Sequence, residues 1–189
     1  MQSIIDKAEA GSLSVRIKCV ISDKETAYGL ERARKHGIPT YFVDRKLYSL
    51  REEHEEAIIH ILNENDVELV VLAGYMRLLT PHIISRYRYR IINIHPALLP
   101  SFPGTDGYGD AWRYGVKMSG CTVHFVDEGC DTGPIIIQAV NPIEENDTLE
   151  SFRERGLGIE HRVLPEAIQL YCESRLKIEG RRVRILEKE

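Results

Sequence analysis

The chain has 189 residues, 43% hydrophobic and 29% charged, with 25 Lys and Arg against 29 Asp and Glu and a formal net charge of −4. That length suits one domain with a substantial core, 1–189, and basic residues gather only at Arg181, Arg182 and Arg184, which argues against a nucleic-acid partner. No apolar run approaches the roughly 18 residues of a membrane span and no charged-then-apolar leader opens the chain, so a cytoplasmic protein without a membrane partner is expected.

In chain order, Gln2 to Ala10 reads as a helix ended by Gly11, Val15 to Ile21 as a strand, and Ala27 to His36 as a helix closed by Gly37. Tyr41 to Val43 is a short strand, and Leu50 to Asn65 a long helix whose Ile58, Ile59 and Leu62 form the buried stripe. Leu69 to Leu72 is a buried strand, Pro81 to Ser85 starts a short helix, and Arg90 to Ile94 is the next strand. The glycines of Thr105 to Trp112 predict a flexible segment, made acidic by Asp106 and Asp110. Cys121 to Val126 and Ile135 to Val140 are strands separated by an acidic, glycine-bearing loop. A final helix over Leu149 to Ser174 carries Glu160 and is expected to kink at Pro165, and the arginine cluster falls on a solvated edge strand. The alternation predicts an α/β fold with a mostly parallel sheet covered on both faces. Cys19, Cys121, Cys130 and Cys172 show no metal-ligand spacing, which argues against disulfides and zinc.

The segment Asn93-Ile94-His95-Pro96-Ala97-Leu98-Leu99-Pro100 places two polar residues at the end of the apolar run Ile91-Ile92. Strand carboxyl ends open onto the ligand crevice of such folds. Two apart on an extended chain, Asn93 and His95 point to the same face. A lone His at a strand end is most often a hydrogen-bonded structural residue. Pro96 and Pro100 shift that balance, because they fix a rigid exit from the strand where polar groups can be presented. Asp131, in the loop after Phe125, is by itself a turn residue; beside His95 it would supply a carboxylate.

These motifs carry a resemblance. Asn93-Ile94-His95-Pro96, Pro103-Gly104, Gly120-Cys121-Thr122-Val123-His124-Phe125-Val126 and Asp131-Thr132-Gly133-Pro134 resemble the phosphoribosylglycinamide formyltransferase family. The likeness extends from Gly29-Leu30-Glu31-Arg32-Ala33, through Leu72-Ala73-Gly74-Tyr75-Met76-Arg77-Leu78-Leu79, to Glu160-His161-Arg162-Val163-Leu164-Pro165. It implies a three-layer α/β/α formyltransferase fold, mostly parallel with one antiparallel strand. It further implies transfer of a formyl group from 10-formyltetrahydrofolate to the amine of glycinamide ribonucleotide in purine synthesis, with no metal and no covalent intermediate. The implied catalytic residues are Asn93, His95 and Asp131. Folate would be held by Arg51, Met76, Arg77, Leu78, Leu79 and Asn93 on one side, and by Val126, Asp127, Glu128, Gly129, Cys130 and Asp131 on the other. The ribonucleotide would be held by Gly74, Met76, Ile94, Pro96 and Glu160. His124 and His161 are assigned to structure, and a homodimer is compatible with the class.

The chemistry fits these residue types. Amine attack on a formyl carbon builds negative charge on oxygen, which calls for donors such as the Asn93 amide and the His95 imidazole. A carboxylate at Asp131 is expected to raise the His95 pKa.

The amino terminus departs from the family. Members open with a hydrophobic strand, a Gly-x-Gly-Ser-Asn turn that holds the ribonucleotide phosphate, and then Leu-Gln-x-Ile-Ile-Asp, whereas this sequence begins Met1-Gln2-Ser3-Ile4-Ile5-Asp6. A start taken at an internal methionine and a truncated form are both open, and a sheet lacking that strand is expected to be soluble only with difficulty. Many relatives carry His at the position of Asp106. Two other readings stay open: a formyltetrahydrofolate deformylase, whose family adds a regulatory domain and usually has His-His in place of His95-Pro96, and a catalytically impaired folate-binding remnant.

Overall fold

The computed structural model describes residues 1–188. Its elements are α1 (Gln2–Glu9), β1 (Val20–Ser22), α2 (Tyr28–Lys35), β2 (Thr40–Phe42), a 3₁₀ turn (Arg45–Leu47), α3 (Arg51–Glu64), β3 (Val70–Leu72), α4 (Pro81–Arg86) and β4 (Ile91–His95). They continue as α5 (Gly107–Tyr114), β5 (Met118–Phe125), β6 (Ile135–Pro142), α6 (Leu149–Cys172), β7 (Leu176–Glu179) and β8 (Arg182–Ile185).

Residues of alternating face on β4 build two cores. Ile92 joins Ile4, Leu13, Val123, Val163, Leu164 and Ile168 beneath α1 and α6, whereas Ile91 joins Ile59, Leu62, Ile83, Ile84 and Tyr87 beneath α3 and α4. Ile91 and Ile92 are 1% and 0% exposed, and each such side chain contributes roughly 1.5–3 kcal/mol on burial. The result is the expected helix, sheet, helix sandwich.

The strands form a six-stranded sheet in the order β3-β4-β5-β6-β8-β7 and a separate pair, β1-β2. Pairs β1/β2, β3/β4 and β6/β8 are parallel. β5 runs against both of its neighbours, as the single antiparallel strand expected, and β7 adds a second by folding back on β8. The segment 17–21, which runs into β1, and β3 both reach the two cores, through Ile17, Cys19 and Ile21 on one side and Val70, Val71 and Leu72 on the other, yet no ladder joins β1 to β3 among the described residues.

Three expectations are corrected. The strand expected over Val15 to Ile21 pairs only at Val20–Ser22, because its sole ladder partner, β2, is three residues long. Thr105 to Trp112 is not a flexible loop: Asp106 caps α5 by accepting from the Gly109 N–H at 3.2 Å, and Gly115 closes it at φ +82°. The helix is held to α6 by edge-to-face contact of Tyr108 with Phe152 and by an ion pair of Asp106 with Arg153 at 2.6 Å. Arg182 and Arg184 of the arginine cluster fall on β8, which lies between β6 and β7 rather than at the edge, and Arg181 precedes it. α6 starts from a reciprocal cap between Thr148 and Ser151 and continues through Pro165 to Cys172.

Candidate active site

β4 ends at His95, and its alternation turns Ile92 and Ile94 toward the α6 core, leaving Asn93 and His95 together on the other face. The loop that follows is pinned from β5 and β6. Thr122 donates from Oγ1 to the Ala97 carbonyl at 2.7 Å and accepts from the Leu99 N–H at 3.0 Å, and Gln138 donates to the Leu99 carbonyl at 2.9 Å. The pinned turn brings the Phe102 carbonyl to 2.7 Å from Nε2 of His95 and the Gly104 N–H to 2.9 Å from Oδ2 of Asp131. Phe102 and Asp131 both adopt left-handed backbone, at φ +52° and +55°. Such geometry is uncommon for a bulky aromatic and persists only where surroundings hold it.

Asp131 is the hub. Its Oδ2 lies 3.3 Å from Nδ1 of His95, and its Oδ1 lies 3.5 Å from both Nδ2 of Asn93 and Nε2 of His124. Burial pushes the Asp131 carboxyl upward, but the neighbouring His124 ring, the Gly104 N–H and the His95 charge outweigh it and hold the group at about 2. The expected rise at His95 is not found. Burial of a ring 2% exposed lowers its pKa more than the Phe102 carbonyl and Asp131 raise it. The carboxylate therefore acts as anticipated, but against a larger desolvation.

The structure thus brings Asn93, His95 and Asp131 together and adds His124, which the sequence reading left to structure. His124 reads as one more residue of a buried strand; the only signal for it is its position across the ladder from Asn93. The Phe102 carbonyl and Gly104 N–H are backbone groups and leave no side-chain signature.

Beside this cluster, the loop after β3 presents Met76 and Leu78, 61% and 51% exposed, with Gly74 at φ +73°. Arg77 pairs with Asp23 at 3.1 Å, and Leu79 is buried in the α3/α4 core, so its side chain does not face the cleft. Arg51 donates to the Leu78 carbonyl, and buried Glu55 accepts the Thr80 N–H at 2.8 Å and the Thr80 hydroxyl. Val126 donates its N–H to the Ile91 carbonyl at 2.9 Å, Asp127 accepts from the Gly129 N–H and the Thr132 hydroxyl, and Glu128 and Cys130 are exposed. Ile94 turns to the opposite core and Pro96 is half-buried. Glu160 stands apart on α6 beside Tyr108 and the Met1 ammonium, its carboxyl pushed up by burial.

The buried His95–Asp131 pair thus stands with Asn93 at the terminus of β4, and residues 1–168 match the formyl transferase family, to which the chain belongs. It is 43% identical over 168 residues to phosphoribosylglycinamide formyltransferase of Bacillus subtilis, covering 89% of this chain and 86% of that one. The crystal structure of glycinamide ribonucleotide transformylase 1 from Symbiobacterium toebii superposes with a TM-score of 0.96 at 49% identity, covering 98% of this chain and 88% of that one. The trifunctional purine biosynthetic protein adenosine-3 of Chironomus tentans is 41% identical over 180 residues, 94% of this chain, but the chain spans only 13% of its length. A formyltetrahydrofolate deformylase from Pseudomonas syringae shares the fold at a TM-score of 0.89 and 30% identity, with 98% of this chain matched to 61% of that one.

Proposed function

We propose that residues 1–189 act as one formyltransferase domain. It moves a formyl group from 10-formyltetrahydrofolate to the amine of glycinamide ribonucleotide, a cytoplasmic one-carbon step of purine biosynthesis. The observation that carries this reading is the Asn93, His95 and Asp131 cluster at the end of β4, in a chain similar over most of its length to proteins named for that reaction.

The amine nitrogen attacks the formyl carbon, a C–N bond forms, and the carbonyl oxygen becomes an oxyanion. Asn93 meets that charge with its amide N–H. His95 offers Nε2–H, which the oxyanion, a stronger acceptor than a neutral carbonyl, takes over from Phe102. Asp131, 3.3 Å from Nδ1, opposes the desolvation of His95 by favouring positive charge on its ring. The bond to the tetrahydrofolate nitrogen then breaks, and the proton lost by the amine ends on that leaving nitrogen. Each oriented donor is worth about 3 kcal/mol of barrier. In this reading Met76, Leu78 and the 126–131 loop cover a flat ring, and Glu160 accepts from ribose hydroxyls.

The test is formyl transfer from 10-formyltetrahydrofolate with and without glycinamide ribonucleotide. Product is expected only with the ribonucleotide. Formate release in its absence would replace the reading with the deformylase, and folate binding without turnover would replace it with the binding remnant. In the same assay His95→Ala should remove at least about 100-fold of activity while folate affinity stays within a few fold; unchanged turnover would take His95 out of the mechanism.

A further inference from the structure

We propose that His124 is a positioning residue, which fixes the side-chain amide of Asn93 with its nitrogen rather than its oxygen toward Asp131 and the reacting centre. His124 lies directly across the β4/β5 ladder from Asn93 and is 2% exposed. Its Nδ1 is 2.8 Å from the Phe125 carbonyl, an atom that only accepts, so Nδ1 carries the proton. In the neutral ring Nε2 is then a lone-pair acceptor, and it lies 3.2 Å from Nδ2 of Asn93, closer than the 3.5 Å that separates it from Oδ1 of Asp131. An amide can meet a pure acceptor only with its NH₂ end.

The second N–H of that group faces Oδ1 of Asp131 at 3.5 Å, so the two neighbours demand the same amide orientation. Reversed, the amide would set its oxygen against both a carboxylate and an imidazole lone pair. The shorter contact, to His124, supplies most of the hold. The long contact to Asp131 is the one that a formyl oxygen can displace without rotating the amide, which leaves the donor aimed before substrate arrives. His124 acts through Asn93 and touches no substrate itself.

The proposal rests on the formyl-transfer reading, but its first test does not. In the uniformly ¹⁵N-labelled chain, a scalar coupling across the hydrogen bond between Asn93 Nδ2 and His124 Nε2 is expected, with ¹⁵N shifts of an Nδ1–H imidazole at His124. Absence of the coupling, or a proton on Nε2, would overturn the proposal whether or not the enzyme turns over. Kinetically, His124→Leu should lower kcat about 100-fold, the scale of one misaligned donor, with both KM values within about twofold. His124→Gln, whose amide oxygen still accepts, should recover about tenfold of that loss. In an Asn93→Ala background, His124→Leu should cost less than about threefold more; fully additive losses would show that His124 does not work through Asn93. If His124→Leu does not fold, the coupling in the unmodified chain decides alone, and a chain without transferase activity would fail the reaction reading while leaving the coupling measurement valid.

Discussion

Asp131 is met by polar groups of five residues, Asn93, His95, Gly104, His124 and Cys130, and its effects are separable by titration. Removing it takes away a group that raises His95, so Asp131→Asn should move the His95 imidazole still further below its ordinary value, as read from its ring proton shifts against pH. An unmoved titration would break the coupling. The carboxyl is 13% exposed and lies at about 2 in the fold, against about 3.9 when unfolded, so it contributes about 2–3 kcal/mol of stability. A depressed acid contributes above its unfolded pKa and loses that contribution as pH falls through the folded one. The stability gap between the native chain and Asp131→Asn should thus be full near neutrality and narrow from about pH 4 to about pH 2 in denaturant titrations. His95 adds a loss in the same direction below about pH 6.5, because its folded pKa is lowered and the unfolded ring binds its proton first. At this scale the sequence was legible wherever a polar side chain broke an apolar strand end, as with Asn93 and His95. It was silent about backbone donors and about His124, whose neighbours are all core residues.

Helices were legible by their apolar stripes, and misread where a polar residue holds an element together. Ile59 and Leu62 of α3 are buried as expected, and so is Glu55, at 2% exposure, which shares their stripe at i, i+4 and i+7 but whose charge would ordinarily keep it in solvent. Its carboxylate joins α3 to the first turn of α4 through both the N–H and the hydroxyl of Thr80, and so closes the loop that bears Met76 and Leu78. Glu55→Ala would strand two buried donors, each costing about 1–3 kcal/mol. A loss of about 2–4 kcal/mol in urea unfolding is expected, with a raised KM for folate; wild-type stability would show that Thr80 finds another partner. α5 was hidden for a related reason. Its helix-poor Gly107 and Gly109 are overruled by the Asp106 cap and by Phe152, a contact contributed by a helix about forty residues later, beyond what any local window reads.

Across the whole molecule, the alternation of strand and helix carried the layered architecture, whereas ladder partners are long-range facts that single segments do not declare. Thus β7 and β8 were not foreseen as a hairpin joined to β6, nor β1-β2 as a sheet of its own. The division should be visible in amide exchange. β4, β5 and β6 are flanked by ladders and carry the fully buried Ile92, Cys121 and Val123, whereas β1 and β3 each have one ladder partner and are half-buried. Exchange at Val20–Ser22 and Val70–Leu72 should be at least about 100-fold faster than at Ile92–Asn93 and Thr122–His124; uniform protection would mean the two sheets open as one. The same break has a bearing on how the protein fares in concentrated or heated solution. The outermost strand, β7, carries Lys177 and Glu179, charges that discourage another chain from pairing there. The unpaired sides of β1 and β3 carry Val20, Ile21, Val70 and Val71 and no charge. An extended segment of a neighbouring copy would find free backbone partners along either strand, with no charge to repel it. Clumping would then be seeded at β1 and β3, and charge added on β7 would do little to prevent it.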